Sequence, residues 1–175
     1  MWRITSVLIL LFGWFYSNGQ ETIKQRPSPL SITAVKYKDC YLKITYSQPH
    51  KRGREVFGKL VPYGVVWRTG ANEATEMTIT KDIELNGRVL AAGTYSVFTI
   101  PEKEKWTLII NSELGLWGAY NYNPKLDIVR YEVPVERNTT TYEAFTIMIR
   151  QINEVATLEF LWDDIRVSVP IKFIN

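Results

Sequence analysis

The stretch that decides the fold is EVATLEFLWDDIRVSVPIKFI, residues 154–174. Ala156, Leu158, Phe160 and Trp162 recur at every second position. Ile165, Val167, Val169, Ile171 and Phe173 do the same against Arg166, Ser168, Pro170 and Lys172. A period of two places one set of side chains on a core face and the other toward solvent, so the stretch reads as two strands, 154–162 and 165–174. Pro170 has no N–H to give a ladder and sits on the polar parity, which marks an edge strand or a bulge.

The same alternation extends outward. Residues 40–47 put Leu42, Ile44 and Tyr46 on one face and Lys43, Thr45 and Ser47 on the other, and 75–81, 106–111 and 142–150 read as further strands. Residues 93–100 are apolar on both parities, as expected of a central strand covered on both faces. Asn86-Gly87 between Ile83-Glu84-Leu85 and Arg88-Val89-Leu90 is a strong hairpin signal. Residues 101–105 and 151–153 join further strand pairs, and Asn138-Thr139-Thr140 reads as another hairpin turn. No segment sustains a 3.6-residue period, although 54–60 has room for one helical turn. The fold expected is all-β: a single antiparallel β-sandwich of about nine or ten strands with little helix.

Composition bounds the function. The 175 residues are 46% hydrophobic and 22% charged with a net charge of +3, which suits one globular domain and argues against a disordered chain. So small a charge does not indicate a nucleic-acid partner. One His and one Cys cannot assemble a zinc set or an internal disulfide, so neither a metal nor a cofactor is expected. Cys40 shares parity with Leu42 and Ile44 and reads as a small buried hydrophobe.

Residues 1–19 have the pattern of an export signal: Arg3, an apolar run over 7–16, then Ser17 and Gly19 as the small residues before a cut. That run is shorter than the roughly 20 residues a membrane span needs. The expectation is a periplasmic or secreted chain beginning at Gln20, with no stable membrane span after cleavage. Residues 20–29 then form a flexible lead-in, and 30–175 a single domain.

Two segments break the alternation, and such breaks are where function tends to lie. The first is YSQPHKRGREVFGKLVPYGVVWRTGANEAT, residues 46–75, with Gly53, Gly58, Gly64 and Gly70 among basic and amide side chains. The second is NSELGLWGAYNYNPKLD, residues 111–127, with Trp117, Tyr120 and Tyr122 crowded around Gly115 and Gly118.

These segments, together with AAGTYSVFTIP at 91–101 and Trp106, resemble the bacterial exported family catalogued as domain-of-unknown-function family 2911. The resemblance covers about residues 28–135. One departure is Gln48, where the family usually has Arg in its Tyr-Ser-Arg-Pro segment; a ligand contact made by that Arg would be missing here. The resemblance implies an exported β-rich domain of Gram-negative bacteria and brings no established activity.

The chemistry must therefore be read from side chains. In WRTGANEAT, Arg68 can grip a carboxylate with both arms of its guanidinium. Its partner is either an internal acid such as Glu73, pinning the loop, or a ligand. Asn72 offers an amide that either caps the turn or faces a ligand. Arg68, Asn72 and Glu73 are thus the candidate floor of a ligand site, with Trp117, Tyr120 and Tyr122 as an aromatic wall suited to stacking on sugars or other flat surfaces. Trp67 and Trp106 are expected in the core. The basic run from His50 to Arg54 reads as a solvated turn.

Three functions fit these residues. The favoured one is a module binding a small polar or glycan-like ligand. The second is a hydrolase with paired carboxylates, for which Glu73 and Asp127 are the candidates. The third is a structural or partner-binding envelope domain. No nucleophile elbow, phosphate loop or metal motif favours catalysis.

Overall fold

The computed structural model of the chain describes residues 24–174, so the export signal expected over 1–19 lies outside the described residues. Nine strands follow in order: β1 (Leu30–Tyr37), β2 (Cys40–Ser47), β3 (Ala71–Ile79), β4 (Ile83–Leu85), β5 (Arg88–Leu90), β6 (Gly93–Pro101), β7 (Lys105–Asn111), β8 (Asp127–Ile152) and β9 (Val155–Phe173). The helical element among the described residues is one 3-10 turn, Pro124–Leu126, capped by the Asn123 side chain. The protein is all-β.

The strands form one antiparallel sheet in the order β1-β2-β3-β6-β7-β8-β9-β4-β5. Strand β8 changes partners along its length. Val129, Tyr131 and Val133 pair with β7, and residues 135–137, Tyr142 and residues 146–152 pair with β9. The hairpin expected at Asn138–Thr140 is not there, because these residues lie inside β8. Asn86 and Gly87, at φ 47° and 79°, do turn β4 into β5, as a two-residue loop with positive φ at both positions must.

The decisive stretch is one strand rather than two. The ladder slips around Asp163, which takes φ 54° opposite Tyr142: β8 runs from Arg137 to Thr146 while β9 runs only from Ile165 to Leu161, so the surplus residues bulge from β8. Positions in the main core are even-numbered before Asp163 (Leu158, Phe160, Trp162) and odd-numbered after it (Ile165, Val167, Val169). Lys51 forms an ion pair with the Asp163 carboxylate. Pro170 lies beyond Val167, where pairing with β8 has ended and β9 runs beside β4 alone.

The sheet wraps far enough for strands remote in its order to face each other. Tyr37 of β1 stacks on Phe173 of β9 at 5.4 Å, and Trp106 of β7 approaches Phe160 of β9 at 6.5 Å. Trp67, Trp106, Trp162, Phe57 and Phe145 form an aromatic hub in one continuous core that also holds Cys40, Leu42 and Ile44. Each large side chain buried there contributes about 1.5–3 kcal/mol of transfer free energy. A smaller cluster of Ala74, Phe98 and Ile109 uses the opposite parity of β6 and β7, so β6 is covered on both faces. Beyond β2 the chain docks on β8: Lys51 N–H donates to the Glu143 carbonyl at 2.8 Å, and Phe145 N–H to that of Pro49 at 2.8 Å.

Candidate functional site

The site is organised by an interruption in β3. While β2 advances from Thr45 to Ser47, β3 runs from Glu76 back to Ala71, so the intervening residues of β3 leave the ladder. Asn72 takes φ 55° there. The freed backbone bonds to the other irregular segment: Gly118 N–H donates to the Asn72 carbonyl at 2.9 Å, and Ala74 N–H to the Leu116 carbonyl at 2.8 Å. These bonds bring together the two segments in which the sequence lost its period.

The turn entering β3 is held from three sides. Trp67 exchanges backbone bonds with Thr99 of β6 at 2.7 and 2.9 Å. The Trp67 indole N–H donates to the Gly70 carbonyl at 2.9 Å, and the Thr75 hydroxyl to the Thr69 carbonyl at 2.7 Å. Between them Thr69 sits at φ 53°, fully buried. A β-branched residue in the left-handed region carries strain on the order of 1–3 kcal/mol and persists only where its surroundings over-determine it.

This turn borders a cavity of about 380 Å³. Its polar side is Ser28, Arg54, Arg68 and Asn72; its apolar side includes Leu60, Val61, Val65, Val66, Trp67 and Trp162. Trp67 and Trp162 stack at 5.9 Å, so the cavity reaches down to the aromatic hub. Among the described residues no carboxylate pairs with Arg68, and its Nε is buried without a hydrogen-bond partner. Burial lowers the guanidinium's pKa from the usual arginine range, and the nearby Tyr120 partly offsets this.

Glu73 is not the acid for Arg68. It accepts from Arg26 at 2.7 Å and from the Ser47 hydroxyl at 3.2 Å. The Arg26 bond is the main cause holding its carboxyl below the ordinary range. Glu73 lines a second cavity of about 300 Å³ with Leu30, Glu76 and Leu116. Arg68 and Asn72 therefore share one cavity, and Glu73 borders another.

None of the three aromatic residues expected as a wall lines either cavity. Trp117 is 59% exposed and bridges Glu73 through its backbone; Tyr120 is 83% exposed. The Tyr120 ring lies over Gly118, where a Cβ would stand 2.8 Å from a ring carbon. Tyr122 turns inward and lines neither cavity. Its ring meets Phe98 edge-on at 5.0 Å, and its hydroxyl donates to Asp127 Oδ2 at 2.6 Å. Burial first, then that bond, pushes its pKa up to about 12. Asp127 also accepts from Asn111 at 2.8 Å and Arg130 at 3.3 Å. Both carboxylates considered for hydrolysis thus have partners of their own.

Several lining residues escaped the sequence reading. The run LVPYGVVW, residues 60–67, is apolar on consecutive positions without a strand period, and that was the available signal for Val65 and Val66. Arg54, read as part of a solvated turn, folds back to donate to the carbonyls of Lys51 and His50 at 3.0 and 2.8 Å and borders the cavity. Ser28, within the segment read as a lead-in, lines it, and backbone carbonyls of 27–29 are held in place. Arg52 donates to the Pro27 carbonyl at 2.8 Å, the Asn72 amide to that of Ser28 at 3.4 Å, and Gln48 N–H to that of Pro29 at 2.8 Å.

Among the described residues no three His, Cys, Asp or Glu side chains gather as a metal site, and no helix is long and apolar enough to cross a membrane. No curated protein and no solved structure matches the chain. The family described as "Protein of unknown function (DUF2911)" matches residues 28–171, well past the 28–135 over which the motifs resemble it. The match takes in the cavity, the interrupted β3 and nearly all of β9, and the chain belongs to that family.

Proposed function

We propose that this chain is an exported domain, periplasmic or secreted, that binds a small polar or glycan-like ligand in the cavity beside Arg68 and Asn72. The observation that carries this reading is the strained turn at Thr69, which holds two polar side chains at a cavity reaching the aromatic hub. A fold whose turns served packing alone would gain nothing from such strain. The cavity's size falls within the range of about 300–1,000 Å³ common to small-molecule sites.

Thermal melts against a panel of mono- and oligosaccharides and small polar metabolites test this. At least one class should raise Tm, and Val65→Trp, which fills the cavity from a half-exposed wall, should cancel the rise. A wild-type Tm unmoved by the whole panel overturns the proposal.

A further inference from the structure

The lining of the Arg68 cavity has an unbalanced chemistry. Among the described residues it carries two arginines, one amide and one serine, and no Asp or Glu. Arg54 spends donors on the carbonyls of Lys51 and His50, so part of its hydrogen-bonding capacity is already used. Arg68 has no such outlet: its Nε is buried and unpartnered among the described residues. A guanidinium keeps its proton throughout the physiological range, and although Arg68 is only half-buried, its Nε faces neither water nor an acceptor, so an anion at the cavity would gain a charged partner already in place. Among the described residues the group with an evident electrostatic influence on Arg68 is Tyr120, and no carboxylate has one.

We infer that the ligand is an organic carboxylate with a short apolar body, its carboxylate facing Arg68 and its body lying against Val65, Val66 and Trp67. This rests on the proposed binding function and narrows its ligand class. A planar guanidinium fork matches a planar carboxylate with two parallel bonds, which a neutral sugar hydroxyl cannot reproduce. A phosphate-like ion without a body would leave the valine and tryptophan wall facing water. At roughly 30 Å³ per water-sized group, the cavity has room for roughly a dozen non-hydrogen atoms, which includes a monocarboxylic acid of six to eight carbons.

Calorimetric titration of the purified protein with hexanoate, hexanamide and inorganic phosphate tests the inference, with Trp67 and Trp162 fluorescence as a second readout. Hexanoate should bind at least tenfold more tightly than either of the other two. Arg68→Gln should bring hexanoate down to the level of hexanamide, and Arg68→Lys should retain part of the preference. Equal binding of hexanoate and hexanamide, or phosphate as the tightest of the three, overturns the carboxylate class while leaving a binding site in place. Silence toward all three, with a sugar from the wider panel binding, overturns it in the same way. Silence toward every compound overturns both readings. The comparison of acid with amide uses wild-type protein, so it stands even where Arg68→Gln fails to fold.

Discussion

The indole nitrogen of Trp67 donates to the carbonyl of Gly70 at 2.9 Å and closes the turn that presents Arg68 to the cavity. One side chain therefore belongs both to the aromatic hub and to the frame of the site. Trp67→Phe keeps an aromatic ring but leaves the Gly70 carbonyl without its donor and a void beside Trp162. Urea unfolding should show a loss of about 2–3 kcal/mol, combining the unsatisfied carbonyl with the lost volume. A change below about 0.5 kcal/mol would mean that the indole bond does not hold the turn.

Replacing Arg68 should have the opposite sign. A buried arginine paired with a protein acid costs about 3–5 kcal/mol to remove, because the acid is stranded. Here no described acid would be stranded, so Arg68→Leu should leave stability within about 1 kcal/mol of wild type or raise it, as substitutions at binding sites often do. Ligand-free melts of the variant measure this. A loss of several kcal/mol would reveal a structural partner.

Tyr122 gives an alkaline signature. Its folded pKa, about 12, lies above the ordinary tyrosine value of about 10. A group raised on folding contributes stability that is whole below its unfolded pKa and is lost as pH rises through the folded one. The stability difference between wild type and Tyr122→Phe should therefore be constant below about pH 10 and shrink toward pH 12. Urea melts across that range provide the check; a difference that grows with pH would contradict the raised pKa.

Gly118 sits at φ 71° beneath the Tyr120 ring. Gly118→Ala should cost about 1 kcal/mol for the backbone alone and must also displace that ring. Because Tyr120 is exposed and able to move, the ring's share should be small. A double-mutant cycle with Tyr120→Ala isolates it, and a coupling below about 0.5 kcal/mol is expected. Strong coupling would show that the ring is fixed in place.

What the sequence revealed depended on whether a side-chain period survived. Strand β2 and the Asn86-Gly87 hairpin were legible because alternation and turn chemistry were both intact. Strand β9 looked like two strands because one residue at Asp163 reverses its parity, which on paper resembles a break in the chain. Asn138–Thr140 were misread because that part of β8 is polar on both parities and made of turn-forming residues. The site was found by the absence of a period, which located the two segments but could not divide them. Asn72 and Glu73 are neighbours in sequence, yet the interruption in β3 gives them different cavities. Nothing local to residues 120–122 distinguishes a tyrosine on the surface from one packed on Phe98.

The joint between residues 72–74 and 116–118 is made through peptide groups, so apart from the left-handed positions Asn72 and Gly118 it asks little of the side chains it carries. A family built on this frame can exchange the residues at 117 and 120 as interchangeable fittings without moving the loop that bears them. Diversity among its members in what they recognise would then require no diversity in shape.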